Sequence, residues 1–278
     1  MEQFISSHRL LFLLPGVALT VLLEAYFYQK RFARAYPWRD TLTSFWVGVG
    51  HQVTGLANKV LVVGLMGGYV WDHRVNTIES SWWTMGLLFI ALEFAYYWYH
   101  RASHEVNVMW ATHSTHHSPN EMVFASAVRL GWTPFLSFSW MFFLPLVWIG
   151  FTTTEVFGML SLNLVYQFLV HTRLIGKLGF IEGILNTPSA HRVHHASNEE
   201  YLDKNYGGVL MIYDRLFGTY APERDDIEIR YGLVHPIQSQ NLLQVVFERW
   251  FTLIAQFMQR PGLKEKLHVL LAKPGNVG

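Results

Sequence analysis

Three clusters of histidine, separated by long apolar stretches, set the terms on which this chain can fold. His100-Arg-Ala-Ser-His104 is followed by His113-Ser-Thr-His116-His117 and, much later, by His191-Arg-Val-His194-His195. With His171, nine of the 14 histidines fall between positions 100 and 195. Residues at i, i+3 and i+4 of a helix share a face, so each box is expected to present its imidazoles as one cluster. A lone histidine is usually an ordinary core or surface residue, and His8, His51, His73, His235 and His268 are read that way. Three boxes in a chain without cysteine point instead to a metal centre. Any acceptable fold must therefore bring three distant segments to one place, on one side of whatever separates them.

What separates them has the composition of a bilayer protein. Half of the residues (51%) are hydrophobic and only 15% are charged, well below the usual quarter for soluble domains. The net charge of +1 and the lack of a basic tract argue against a nucleic-acid partner. Leu10 to Tyr28 is apolar apart from Glu24 and long enough to span; with no Ala-x-Ala pattern after it, it reads as an uncleaved anchor. Lys30, Arg31, Arg34 and Arg39 follow as a basic loop, cytoplasmic by the positive-inside rule, which leaves the amino terminus outside. Phe45 to Trp71 carries His51, Asn58 and Lys59; a tilted span is favoured over a re-entrant pair of half-helices. Asp72 to Ser81 is an outer link, and Trp82 to Tyr99 returns inward to deliver His100. Glu93 lies on the His100 face, either as a carboxylate supporting the site or as the partner of another polar group in the bundle. Thr133 to Gly150 and Glu155 to Val170 read as an apolar hairpin. If both arms cross, all three boxes and His171 lie on the same side.

The expected architecture is thus an all-α integral membrane protein with four to five transmembrane or membrane-embedded helices and a cytoplasmic, histidine-rich di-metal cap. Tyr201 to Tyr220 reads as an interfacial element, Asn241 to Met258 as an amphipathic surface helix, and Lys264 to Gly278 as a frayed basic tail. Residues 1–81 would anchor, 82–220 would hold the metals, and 221–278 would lie at the interface, all as one functional unit.

Eight or nine imidazoles exceed the coordination sphere of one ion and suit two. Iron, copper and zinc all accept imidazole, so ligand type does not choose among them. A His-Glu-x-x-His protease motif fails because position 108 is Val108, and the Glu-x-x-His pairs of carboxylate di-iron bundles are missing from the box region.

At these residues the chain resembles the fatty acid hydroxylase and sterol desaturase superfamily of membrane non-haem di-iron oxygenases. The resemblance covers roughly residues 85 to 220. Beyond the boxes it rests on Tyr97-Trp-Tyr-His-Arg-Ala-Ser-His-Glu105, Asn186-Thr-Pro-Ser-Ala-His-Arg-Val-His-His195, Asp203-Lys-Asn-Tyr-Gly-Gly208, Asp214-Arg-Leu-Phe-Gly-Thr219 and Tyr231-Gly-Leu-Val-His-Pro236. It implies metal ligands at His100, His104, His113, His116, His117, His191, His194 and His195, with His171 as an additional one. Glu105 matches a carboxylate kept beside the second histidine in one branch of the superfamily, a catalytic candidate whose plain alternative is an exposed loop acid. The implied activity is O2-dependent hydroxylation, desaturation or oxidative cleavage at a C–H position of a fatty acyl, sterol or ether lipid. It would use two iron ions and electrons from a separate reductase or a tetrahydrobiopterin-like pterin, since no nucleotide or flavin motif is present. The aromatic residues of Phe94 to Tyr99 and Trp132 to Trp148 would line a lipid slot, or serve only as packing and interface anchors. A zinc-dependent membrane hydrolase and a non-catalytic metal-binding membrane protein are the other classes open to this imidazole cluster.

Overall fold

The computed structural model describes residues 9–275. Among them the regular structure is helical, and no strand forms beyond isolated bridges. Helix α1 is Arg9–Phe32 and α2 is Trp38–Val63, the latter continuing as a wider π-helical stretch over Gly64–Val70. The run Trp38–Val70 is one continuous helical run and not a pair of half-helices. Among the described residues it is the one helix both long and apolar enough to cross a membrane. Only 12% of its most apolar window is buried within the protein, so it is not a core helix.

Helix α3, Trp82–Glu105, begins at a reciprocal cap. Ser81 accepts from the Thr84 amide while the Thr84 hydroxyl accepts from the Ser81 amide, satisfying two donors that the first turn would strand. The helix runs one turn further than its apolar stretch and so carries both His100 and His104. After an extended Val106 comes α4, Asn107–His113.

Thr133 to Gly150 departs from expectation. It is not one helical arm but a series of turns around Ser139–Phe142 and a short α5, Leu144–Trp148. Phe138 adopts a left-handed φ of 57°, and Pro145 lacks the amide an incoming helix would need. The segment still runs the length of α3, from Thr133 beside Thr112 to Trp148 and Gly150, whose carbonyls accept from Val75 and Ile78. It is only partly covered: Ser137, Phe143, Leu146 and Val147 are buried, while Leu136, Phe138, Met141 and Trp148 are exposed. Helix α6, Thr153–Val170, returns with a second reciprocal cap between Thr152 and Glu155. Helix α7, Pro188–His194, is capped by Thr187; α8 is Ile212–Leu216. The chain closes with α9, Leu242–Gln259, and α10, Leu263–Leu271.

The largest core lies among α3, α5, α6 and the π-helical stretch, where Leu88, Leu92, Tyr96, Leu146, Val147 and Val156 are buried together. Each such side chain contributes on the order of 1.5–3 kcal/mol. Two buried carboxylates tie the long helices to the loops. Glu24 of α1 accepts from the Tyr36 hydroxyl at 2.9 Å, the Phe124 amide at 2.8 Å and the Thr172 hydroxyl at 2.7 Å. Glu93 of α3 accepts from the amides of Val209 and Leu210, both at 2.8 Å, and from the Asn163 side chain. Glu93 fastens another polar segment and touches no imidazole, so it supports the site only through the backbone it holds.

The Glu93 clasp divides the stretch Tyr201 to Tyr220: Tyr201, Asn205, Tyr206 and Asp214 are buried against the site, while Ile212, Leu216 and Phe217 present exposed apolar side chains. The tail is ordered too: α10 packs Val269 against Ala111 and Leu253, because apolar residues at helical spacing found a shared pocket on α4 and α9. Asn276 to Gly278 lie outside the described residues. The outward faces of α1, α2, α3 and α6 are apolar, with Leu19, Leu22, Phe45, Val53, Leu87, Ile90, Leu162 and Val165 all exposed.

Close approach separates two glycines. A Cβ on Gly131 would run into the Thr112 carbonyl oxygen, whereas one on Gly55, mid-helix in α2, meets nothing within 4 Å. Gly131→Ala should therefore destabilise by about 1–3 kcal/mol, while Gly55→Ala should be neutral or slightly stabilising. Thermal unfolding in detergent compares the two; equal midpoints would show that Gly131 is not held against Thr112.

Candidate metal centre

The nine histidines from 100 to 195 converge into two adjacent groups. His100, His104, His113, His117 and His194 form one, and His116, His171, His191 and His195 form the other. In each group the potential ligand atoms lie within 4.8 Å of one another. The boxes do not map onto the groups one to one, as the simple helical reading expects. Histidines four apart stay together: His100 with His104, His113 with His117, His191 with His195. The histidine between them in the second and third boxes crosses over, so His116 joins the four-membered group and His194 the five-membered one. The reason is angular. Successive helical side chains are rotated by about 100°, so the His-His pair at the end of a box points two ways and serves two sites.

The supporting elements explain why each ring sits where it does. Helix α3 supplies His100 and His104 one turn apart at its end, and α4 with its following turn supplies the second box. Helix α7, started by the Thr187 cap and Pro188, supplies the third. His171 arrives from the end of α6, twenty residues before His191, and its Nε2 lies 3.0 Å from that of His191 and 3.3 Å from that of His116. His100 and His113 approach at 3.1 Å, Nε2 to Nε2. Two nitrogens bound side by side on one ion at about 2.1 Å are about 3 Å apart, so these separations fit shared coordination.

Outward nitrogens are committed elsewhere. His100 Nδ1 donates to the Tyr206 carbonyl at 2.8 Å, His171 Nδ1 to the Gln167 carbonyl at 2.6 Å, and His194 Nδ1 to the Lys204 carbonyl at 3.0 Å. Each bond leaves the Nε2 lone pair free to face inward, the arrangement by which proteins fix the tautomer of a ligating imidazole. The inward Nε2 atoms of His104, His117, His194 and His195 are buried without a protein partner. Stranding a buried polar atom costs on the order of 1–3 kcal/mol. A donor set of imidazoles alone, buried and mutually facing, fits two transition-metal ions.

Burial also sets protonation. Desolvation pushes the His116 imidazole down to about 4 and His171 to about 3, and holds His117, His191, His194 and His195 well below the ordinary range. All are therefore neutral at physiological pH, as ligands must be.

A polar layer holds the loop behind the rings. Asp214 accepts from the amides of Tyr206 and Gly207 and from the Thr219 hydroxyl, all at 2.7 Å. The Asn205 side chain bridges the Ala190 and Ala221 carbonyls, and Asn186 donates to Gly207 and Gly208. Gln167, bonded to Asn163 and Tyr96, places the carbonyl that orients His171. These roles were not readable from spacing, although Asn186, Asn205 and Asp214 stand in the motif stretches quoted above. Glu105 falls in neither ligand group; its carboxylate receives Arg101 Nε on both oxygens at 3.2 Å at a part-exposed edge. His51 bonds to the Gly131 carbonyl and is structural, His73, His235 and His268 lie outside both groups, and His8 lies outside the described residues.

Comparison with known proteins agrees with this geometry. Residues 85–219 match the fatty acid hydroxylase family. Alkylglycerol monooxygenase of Xenopus tropicalis is 41% identical over 85% of the chain, and that of Homo sapiens 39% identical over the same share. Each alignment covers 52% of the relative, so the chain spans about half the length of these curated proteins. Ornithine lipid hydroxylase OlsE of Rhizobium tropici is 28% identical over 50% of the chain and 44% of its own length. No solved structure matches the chain.

Two outcomes follow from the grouping. Metal analysis of the native protein should give about two ions per chain; His104→Ala and His171→Ala should each lose about one, from different groups, while His51→Ala and His235→Ala lose none. The pH dependence has a definite sign. Unfolded histidines titrate near 6.5, while the folded ones stay neutral to about 4. The unfolded chain therefore binds more protons between these values, and the metal-free protein should lose thermal stability as pH falls through that window. A flat unfolding temperature from pH 7 to 4 would contradict the burial of neutral rings.

Proposed function

We propose that this chain is an O2-dependent lipid monooxygenase of the membrane, built around a di-iron centre. The observation that carries the reading is the division of nine imidazoles, all but His113 fully buried, into a group of five and a group of four with no carboxylate or thiolate among them. The family match and the monooxygenase and lipid hydroxylase names of the relatives support it. Bound iron would supply oxygen activation at a lipid C–H bond, with electrons from a separate reductase or a tetrahydrobiopterin-like pterin.

The chain's own residues do the rest. His100, His104, His113, His117 and His194 would hold one ion, and His116, His171, His191 and His195 the other. The carbonyls of Gln167, Lys204 and Tyr206 fix their tautomers and keep lone pairs directed inward. Burial of the rings excludes bulk water from the reacting region, which protects the substrate from side reactions during any such oxidation. Glu105, proposed as a catalytic residue, stands at the rim with Arg101, where a polar co-reactant could meet it.

The proposed setting is a multi-pass membrane protein with its metal centre on the cytoplasmic side. Four long helices with apolar outer faces support it, and so do Lys30 and Arg31 in the last turn of α1 with Arg34 in the link to α2. A centre at the helix ends can receive an acyl or alkyl chain sideways from the bilayer. Ether lipids, fatty acyl lipids and sterols all present the necessary apolar C–H positions.

Oxygen uptake by the purified iron-loaded protein, given lipid and a chemical reductant or reduced pterin, tests the activity. Uptake coupled to lipid product, abolished in His194→Ala, is expected; full turnover with zinc alone, or without O2, would replace this reading by a hydrolase. Reporter fusions should place Asn120 and Asn198 inside and Asn76 outside. Opposite sides for Asn120 and Asn198 are incompatible with a shared centre.

A further inference from the structure

We propose that Asp203 is a positioning residue for the metal ligand His104, and that Lys273, from the end of the chain, sets how much of its charge reaches that imidazole. The inference rests on the reading of the histidine groups as a metal centre.

His104 differs from its neighbours. The outward nitrogens of His100, His171 and His194 are held by backbone carbonyls. His104 Nδ1 instead faces Asp203, 3.8 Å from Oδ1, the one histidine–carboxylate approach within 4 Å among the described residues. Its Nε2 is buried, has no protein partner and belongs to the five-membered group. The other oxygen of Asp203 receives Lys273 Nζ at 2.6 Å. Asp203 takes up this position through a left-handed backbone, φ 59°, as does Asn205 at 60°.

Lys273 is not there by accident of a loose tail. The Asn107 amide donates to the Ala272 carbonyl at 3.0 Å, and the Asn107 side chain donates to the Val269 carbonyl at 3.0 Å. Arg249 of α9 reaches Asn107 Oδ1 at 3.3 Å. Asn107 follows His104 by three residues, so the C-terminal helix is fastened to the same short segment that carries the ligand. Sequence positions 104, 203 and 273 are thereby held in one row.

The chemistry of that row is competitive. A carboxylate beside Nδ1–H raises the donor strength of the opposite Nε2, more than a carbonyl does. A separation of 3.8 Å is too long for a direct hydrogen bond, while the lysine contact is close. The ammonium group holds the carboxylate back and neutralises part of its charge. Removing the lysine should release Asp203 toward His104; removing the carboxylate charge should weaken His104 as a ligand.

The test is a titration of detergent-purified, metal-stripped protein with Co2+ alone, following visible absorption and the dissociation constant at each of the two sites. Asp203→Asn keeps the shape and tolerates the left-handed backbone, and it should bind one cobalt about 10–100-fold more weakly with an altered spectrum. Lys273→Met should bind that cobalt more tightly than the unsubstituted protein, and Lys273→Arg should bind it as the unsubstituted protein does. In the Asp203→Asn background, Lys273→Met should have no further effect. Unchanged affinity and spectrum in Asp203→Asn, with a site lost in His194→Ala, would overturn the proposal alone. A Lys273→Met effect that persists undiminished in the Asp203→Asn background would also overturn it, since the lysine would then act by another route. Two intact cobalt sites in His194→Ala would instead overturn the metal-centre reading beneath it.

Discussion

Nine imidazoles, stripped of water and kept neutral, make a demand that the rest of this molecule answers. Each ring has two nitrogens, and burial leaves both in need of a partner. The protein settles one side of His100, His171 and His194 with main-chain carbonyls, and leaves the Nε2 atoms of His104, His117, His194 and His195 without a protein partner. Such an arrangement is costly by itself, since facing lone pairs repel and buried acceptors go unmet. A pair of cations reverses the sign of both terms. The geometry is therefore one that the fold must enforce from outside.

Enforcement comes from polar residues that never touch a ligand atom. Glu93 and Asp214 fasten the two ends of the segment from Tyr206 to Leu210, whose first residue provides the carbonyl for His100. Asn205 locks the same segment to Ala190, immediately before His191. Arg192, inside the third box, turns away from the rings to pair with Glu223 and to donate to the carbonyls of Thr172 and Ile175, beside His171. The third box, the loop after it and the end of α6 are thus one polar-bonded unit. Displacing any member shifts a ring by way of the backbone that orients it.

How much of this the sequence disclosed follows from the range of each interaction. The histidine boxes were legible because their spacing is local and helical, and the four long helices because apolar stretches of that length have few alternatives. The sharing of His116 and His194 between groups needed only the rotation of a helix, but spacing alone does not say where the second group lies. Thr133 to Gly150 misled because hydropathy reports apolar content and not backbone regularity. Pro134 and Pro145 were the available signals for a broken path. Asp203, Asp214 and Asn205 act on segments brought to them by the fold, and nothing in their immediate neighbours foretells it. The C-terminal helix was misjudged for a similar reason, since Lys264, Glu265 and Lys266 crowd its first turn ahead of the Val269 and Leu270 positions that pack.

The same separation of ranges orders assembly. Helices α1 to α3 can form from local hydrogen bonds and apolar length, but neither histidine group can close until α6 and α7 are in place. The four-membered group takes His116 from one side of that gap and His171, His191 and His195 from the other. The five-membered group needs only His194 from the far side, because its other four rings all lie between His100 and His117. An ion could thus begin to gather the first two boxes before the third arrives, whereas the second site has no comparable early form. Loop closure over long separations is slow and entropically unfavourable. On the proposed reading, metal bound early would shorten the search by fixing one end of it, and would couple binding to folding more tightly than in a centre carried on one hairpin.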